Sequence, residues 1–243
     1  MKYNWNWTFF FDVADDGERY YQWILSGLGW TVTVSIFSLL IALVLGSLLG
    51  VIRTTPKKWL VAIGDTYVEL FRNIPLIVQL FLWYFVFPEI VPKSTGDWMK
   101  QVLPDVVPAI LGLGLYTAAR VAEQVKSGIL SLPRGQWNAG LAMGLTLPQV
   151  YRFVLLPMAY RIVLPTLTSE SMNIFKNSSV TYAIGVLELY FQYKQIIEKT
   201  NQVLEITIVV TAIYFILAFS VNRIMTFIEK RVRVPGYIAV GGK

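Results

Sequence analysis

The 243-residue chain contains no cysteine and no histidine. Their absence excludes disulfides, thiol nucleophiles, the usual zinc sites and a histidine base. Charged residues are also few, at 15%, whereas hydrophobic residues make up 55% of the chain and the mean hydropathy is +0.55. Soluble globular domains carry about 25% charged residues. We therefore expect an integral membrane protein with no catalytic residues and no metal site.

Two further features are missing from the sequence. It has no Gly-x4-Gly-Lys-Ser/Thr phosphate-binding loop, so any ATPase that acts with this chain is a separate subunit. Residues 1–22 hold Asp12, Asp15, Asp16 and Glu18, and they lack a basic region followed by an apolar core and a cleavage site. We predict that this segment is an external amino-terminal arm and not a cleaved signal peptide.

Long apolar runs dominate the rest of the chain. A helix rises about 1.5 Å per residue, and about 20 residues cross a hydrocarbon core about 30 Å thick. Five spans are predicted, the second of them kinked at Pro75, and the fold class is an all-α, multi-pass membrane protein. The predicted spans cover residues 27–52, 60–87, 106–130, 162–184 and 203–228.

The net charge of +6 comes from Lys and Arg beside the apolar runs, as membrane topology requires, and not from one surface block. We therefore expect no nucleic-acid partner. Basic residues concentrate in 53–58, in the loop between the third and fourth spans, and in the tail 229–243. These segments are predicted to be cytoplasmic. The amino terminus is then outside and the carboxyl terminus is cytoplasmic.

The loop between the third and fourth spans holds a helix of small residues, predicted at 134–147. Ala139 and Gly140 carry almost no side chain, so another protein can approach the backbone closely. Thr146 and Gln149 have the spacing of a capping box, which predicts the start of a second helix. The predicted partner-contacting residues are Gly135, Trp137, Asn138, Ala139, Gly140, Leu141 and Gly144. The alternative is an amphipathic helix on the membrane surface.

Polar side chains form a stripe on each of two predicted spans. Tyr116, Arg120, Glu123 and Ser127 share one face of the third span, and Thr166, Glu170, Asn173 and Asn177 share one face of the fourth. Intramembrane charges are costly, so each should face a partner, a cavity or a substrate. The predicted substrate-binding residues are Arg120, Glu123, Thr117, Glu170, Asn173, Asn177 and Ser178.

Two interpretations of these polar residues stay open. The guanidinium of Arg120 is a natural bidentate partner for a substrate carboxylate, or it only neutralises Glu123 one turn away. Glu170 could receive a substrate ammonium group. The hydroxyl and amide side chains either complete a substrate site or form hydrogen bonds between helices.

From about residue 27 to 230 the chain resembles the permeases of polar amino-acid ABC importers, and most closely a glutamate/aspartate subunit. The stretch from Asn138 to Pro157 resembles the EAA loop that the ATPase subunit of these importers grips. Further motifs of the family occur in order at 69–79, 123–129, 132–136, 156–161 and 176–179. Asn138 stands where the family has Glu, and Gly140 stands where it has a second Ala.

The resemblance implies a type I ABC importer fold, with residues 1–243 as one permease domain in a bacterial inner membrane. It also implies an ATPase dimer that carries ATP and Mg, an external solute-binding protein, and a second permease chain, which is either a paralogue, the favoured alternative, or a second copy of this chain. The expected substrate is a polar, acidic amino acid, glutamate or aspartate. The alternatives are another polar amino acid, or an ion-coupled secondary transporter, which five spans without an inverted repeat disfavour.

Overall fold

The computed structural model describes residues 3–102 and 104–232, which form helices and short connections without a β-strand. The α-helices are α1 (Tyr20–Ile52), α2 (Lys58–Asn73), α3 (Leu76–Phe81), α4 (Phe87–Ile90), α5 (Lys93–Val102), α6 (Val106–Leu130), α7 (Arg134–Ala142), α8 (Leu147–Val150), α9 (Leu156–Asn177), α10 (Leu189–Thr200) and α11 (Val203–Val232). Wider π-turns join α3 to α4 (Leu82–Val86) and α8 to α9 (Tyr151–Leu155), and a 3-10 turn, Ser178–Ile184, follows α9.

Four helical runs in the described residues are long and apolar enough to cross a membrane. They are Tyr20–Ile52, Val106–Leu130, Leu147–Ile184 and Val203–Val232. A fifth is obtained when α2 and the run Leu76–Ile90 are taken together. These runs confirm an all-helical membrane protein. The fourth begins at Leu147, well before the predicted residue 162, and the predicted tail beyond residue 232 lies outside the described residues.

Pro75 bends the second apolar stretch far more sharply than the predicted kink. The axes of α2 and the following run differ by 106°. Pro75 has φ −56° and ψ 141°, so its backbone is extended, and it has no N–H to donate to the preceding turn. The residue before a proline also avoids helical angles. The helix therefore stops at Asn73 and a new one begins at Leu76.

The described residues fall into two compact units. Unit 1 contains the residues up to Leu40 with Ile74–Gly114 and Asn173–Phe219, and unit 2 contains Ile41–Asn73, Leu115–Met172 and the residues from Ser220 onward. The single permease domain, 1–243, stays a prediction.

Unit 1 has a buried acidic cap at the start of α10. Glu188 is fully buried, and its carboxylate accepts the backbone N–H groups of Tyr190 and Phe191, both at 2.8 Å. The hydroxyl of Tyr214 on α11 donates to the same carboxylate at 3.0 Å. Burial raises the pKa of Glu188 to about 7, although these hydrogen bonds oppose the shift. The cap therefore fixes the start of α10.

Unit 2 packs α1 closely against α6 through two glycines one turn apart. A Cβ atom at Gly46 would lie 2.6 Å from Cβ of Val121 and 2.7 Å from the carbonyl oxygen of Ala118. A Cβ atom at Gly50 would lie 2.7 Å from Cβ of Val125. Small residues at four-residue spacing let membrane helices approach closely, because apolar side chains gain little by leaving lipid.

We expect Gly46→Ala to lower the free energy of unfolding by about 1 to 3 kcal/mol, since the added methyl overlaps a neighbouring backbone. Gly29→Ala on the same helix is the matched control, because nothing lies within 4 Å of its Cβ position. Thermal unfolding of the purified assembly in detergent measures both variants. Equal unfolding midpoints would show that the close approach of α1 and α6 is absent.

Candidate substrate and coupling sites

Arg120 and Glu170 bring the two polar stripes together within unit 2. Nε of Arg120 on α6 donates to one carboxylate oxygen of Glu170 on α9 at 2.8 Å, and Nη2 donates to the other at 3.0 Å. The whole Glu170 residue is 6% exposed, whereas the Arg120 side chain is 42% exposed. The pair is bidentate, which is the strongest geometry for a guanidinium and a carboxylate. An accessible cation is thus held by a buried anion.

Glu123 has a different partner from the one considered in the sequence. Its Oε1 accepts Nη2 of Arg53 at 2.7 Å, so Arg120 does not neutralise it. Arg53 is 7% exposed, and its Nε also donates to Asp65 at 2.6 Å. Lys126 adds a contact to Asp65 at 3.3 Å. These four residues, which we call the ion cluster, join the end of α1 to α2 and α6.

Arg53 belongs to a segment that is predicted to be cytoplasmic, and Asp65 is not among the predicted site residues. A usable signal existed, because Asp65 lies within a predicted span and an intramembrane carboxylate requires a partner. The sequence does not predict that Arg53 is this partner, since residues 53, 65 and 123 share no helical periodicity. Arg72 also approaches Glu123, at 4.0 Å.

A groove of about 380 Å³ in unit 2 carries members of both stripes. Glu123 and Ser127 of α6 line it together with Thr166 of α9. The remaining lining residues are Gln124, Gly128, Ser131, Ile162 and Val163. Polar and apolar side chains therefore both line the groove.

The other predicted substrate residues lie outside this groove. Thr117 is buried on α6, at 2% exposure. Asn173, Asn177 and Ser178 belong to unit 1, where the two asparagines are half-buried. Ser178 is buried and its hydroxyl donates to the carbonyl of Phe175 at 2.8 Å. Their contact with substrate stays a prediction from the stripe.

The helix α7 ends in a glycine turn, and the predicted capping box follows it. The N–H of Gly144 bonds to the carbonyl of Leu141 at 2.9 Å, and the N–H of Leu145 bonds to that of Gly140 at 3.2 Å. This Schellman arrangement needs the φ of +81° that Gly144 adopts. Gln149 then accepts the N–H of Thr146 at 2.8 Å, as in a capping box. Two helices therefore meet at residues 144–146, as predicted, although α7 ends at Ala142 and not at residue 147.

The predicted partner-contacting residues divide between the two faces of α7. Trp137 is half-buried, and its ring meets Tyr151 edge-on with centroids 5.5 Å apart. Gly140 is buried, and a Cβ atom there would lie 3.0 Å from Val150. Both residues pack within unit 2. Because Trp137 is only half-buried, its contact with a partner stays a prediction. The exposed members are Gly135, Asn138, Ala139, Leu141 and Gly144.

Comparison with known proteins identifies the chain. Residues 42–234 match the model of the binding-protein-dependent transport system inner membrane components. The chain belongs to this family. It is 46% identical to the glutamate/aspartate import permease protein GltJ of Escherichia coli over 248 residues, which cover all of both chains. Identity to the glutamate/aspartate import permease protein GltK of Escherichia coli is 26%, over 86% of this chain and 93% of GltK.

Solved structures agree with the family. The fold matches a crystal structure of an amino acid ABC transporter with histidines, with a TM-score of 0.73 and 26% identity, over 87% of this chain and 95% of that chain. The predicted family, a polar amino-acid ABC importer permease, and the predicted inner-membrane location are thereby confirmed. The chain is a permease subunit, and ATP hydrolysis belongs to a separate chain of such importers.

Proposed function

We propose that this permease imports acidic amino acids, glutamate or aspartate, and that Arg120 binds a carboxylate of the substrate. The observation that carries the proposal is the bidentate pair of Arg120 with Glu170. The guanidinium of Arg120 already donates two hydrogen bonds to a carboxylate in a partly exposed position, and a substrate carboxylate has the same geometry. The whole-chain similarity to GltJ supports the same substrate class.

Substrate binding then proceeds as an exchange of partners. The incoming carboxylate replaces Glu170 on Arg120, and the released Glu170 receives the α-ammonium group of the amino acid. Neither protein charge is left alone, which matters because an unpaired charge is costly where water is excluded. Glu123 does not repel the substrate strongly, since Arg53 already neutralises it. Thr117 and Glu123 are the next candidates for contact in unit 2.

The remaining parts of the importer follow from the proposed topology. Five spans put the termini on opposite sides of the membrane, and the basic segments favour a cytoplasmic carboxyl terminus. In this topology α7 faces a dimer of ATPase subunits that binds ATP and Mg. An external solute-binding protein delivers the substrate. Similarity to both GltJ and GltK, two proteins with the same named function, supports a paralogous second permease chain. Membership in a binding-protein-dependent family argues against an ion-coupled transporter.

The packing of α7 supplies a route for coupling within unit 2. Trp137 and Gly140 rest on Tyr151 and Val150, at the base of the helical run that also carries Glu170. Movement of α7 by the ATPases is therefore transmitted to that run through close contacts, as in a rigid-body switch. The exposed face of α7 remains free for the ATPase groove.

Blocking this exposed face tests the docking role. We expect Ala139→Trp to leave the chain in the membrane but to reduce ATPase co-purification and uptake, because an indole at this exposed position holds the ATPase away. Gly29→Trp adds the same indole at another open position and should be neutral. Gly144 is unsuitable, since its φ of +81° strains any side chain. Normal co-purification with normal uptake in the Ala139 variant would exclude α7 as the docking helix.

Single cysteines test the topology, because the chain has none of its own. An impermeant thiol reagent applied outside intact cells should label cysteines that replace Asp15 or Ser94. It should fail to label cysteines that replace Gly135 or Lys57 until the membrane is opened. All four positions are exposed, so access within the chain is comparable. The opposite labelling pattern would place α7 outside and refute the docking role.

Replacing Arg120 tests the acidic substrate. We expect Arg120→Tyr combined with Glu170→Gln to lower glutamate affinity by roughly ten-fold to a hundred-fold relative to Glu170→Gln alone, the value of one charge-assisted pair of about 1.5 to 3 kcal/mol. Transport of a neutral amino acid should fall less. Uptake and substrate titration in proteoliposomes measure both effects.

The single and double variants separate binding from structure. Arg120→Tyr alone leaves Glu170 buried without a partner. If the pair has only a structural role, this single variant loses stability, and the added Glu170→Gln restores both stability and full transport. A stable double variant that carries glutamate with unchanged affinity would refute substrate contact by Arg120.

A further inference from the structure

The amino-terminal arm carries a row of aromatic side chains that the transport function does not use. We define the aromatic arm as residues 3–11, which lie before the region matched by the family model, 42–234. Tyr3, Trp5, Trp7 and Phe11 of this arm are 41%, 54%, 46% and 62% exposed. Large apolar rings are rarely left in water in such a continuous row. We therefore expect another surface to cover these exposed rings.

The aromatic arm is fixed to unit 1 and is not a loose end. Glu205, which is fully buried in the first turn of α11, accepts the hydroxyl of Tyr3 and the backbone N–H of Asn6, the latter at 2.8 Å. Phe9 is 2% exposed and belongs to a core cluster with Tyr20 and Ile206. The exposed rings therefore have a defined position.

The rings also support one another. The indoles of Trp5 and Trp7 are parallel within 1°, with centroids 5.8 Å apart, and Tyr3 meets Trp5 edge-on at 5.2 Å. Phe11 contacts Tyr21 of α1 at 5.9 Å. Tyr21 is followed one turn later by Leu25, which is 59% exposed. The aromatic arm is thus continuous with the outward apolar face of the first membrane span.

The position of Glu205 on α11 sets the depth of the aromatic arm, because Glu205 binds Tyr3 and Asn6 of the arm. α11 coincides with the candidate membrane span Val203–Val232, and Glu205 lies in its first turn. Glu205 is therefore at one end of the span, and in the proposed topology this is the outer end. The arm that it holds is then level with the lipid headgroups.

We propose that the aromatic arm is an interfacial anchor, with Trp5, Trp7 and Phe11 seated among the headgroups of the outer leaflet. Tyr and Trp favour this layer because they combine an apolar ring with one polar group. The acidic residues that follow, Asp12, Asp15, Asp16 and Glu18, are all exposed and remain in water. The lipid surface therefore fixes the start of α1 and the start of α11 together, through the single carboxylate of Glu205.

Site-directed spin labels on the assembled importer test this anchor. Cysteines at positions 5, 7 and 11 are labelled in nanodiscs of phosphatidylethanolamine and phosphatidylglycerol, with positions 4, 8 and 12 as exposed neighbours for control. We expect labels at 5, 7 and 11 to collide more with oxygen and less with a water-soluble nickel chelate than the controls do. Equal collision ratios at all six positions would refute the anchor.

A second measurement keeps the native rings in place. Brominated lipids should quench part of the tryptophan emission of the unchanged importer, and Trp5→Phe with Trp7→Phe should reduce that quenched part while leaving the fold intact. Trp30 and Trp59, which are also exposed, contribute to the remainder. No difference in quenching would also refute the anchor. Labels that are water-exposed in nanodiscs, and become shielded only when the solute-binding protein is added, would replace the lipid surface by a protein contact.

Discussion

An unpaired charge costs far more inside a bilayer than in water, and the helix arrangement of unit 2 follows from that cost. Arg53 satisfies two carboxylates at once, Asp65 and Glu123, which lie on different helices. Arg120 satisfies Glu170 on a third. Each pair fixes the rotation of the helices that carry it, because a turn about either axis would strand a charge. Glycines at 46 and 50 then allow α1 to approach α6 closely enough for the ion cluster to form.

The two pairs serve different purposes because their exposure differs. The Arg53 side chain is buried and its carboxylate partners are partly exposed. In the other pair the Arg120 side chain is partly exposed and its partner Glu170 is buried. An inaccessible cation with accessible carboxylates forms a permanent joint. An accessible cation can accept another anion. Sequence position alone does not distinguish these cases, since both arginines lie near predicted spans and both have acidic residues nearby.

Local rules predicted much of the fold and less of the site. Span positions follow from apolar runs, and the turn at residues 144–146 follows from a capping pair three residues apart. Helical periodicity also placed Arg120 and Glu170 on the inner faces that meet. It did not identify Arg53 as the partner of Glu123, because contacts between distant segments leave no periodic trace. Gly140 was likewise read as open to a partner, whereas its missing side chain makes room for Val150.

The π-turn at Tyr151–Leu155 has a consequence for how the run from α8 to α9 can move. A π-turn holds one residue more than an α-turn, so it can migrate along a helix without breaking it. Each residue that it passes is rotated by about 100° about the helix axis, the angle between successive residues of an α-helix. The turn lies between the contact of Trp137 with Tyr151 and the carboxylate of Glu170. A shift of this turn by one residue near α7 would therefore change which side chains of the helix face inward.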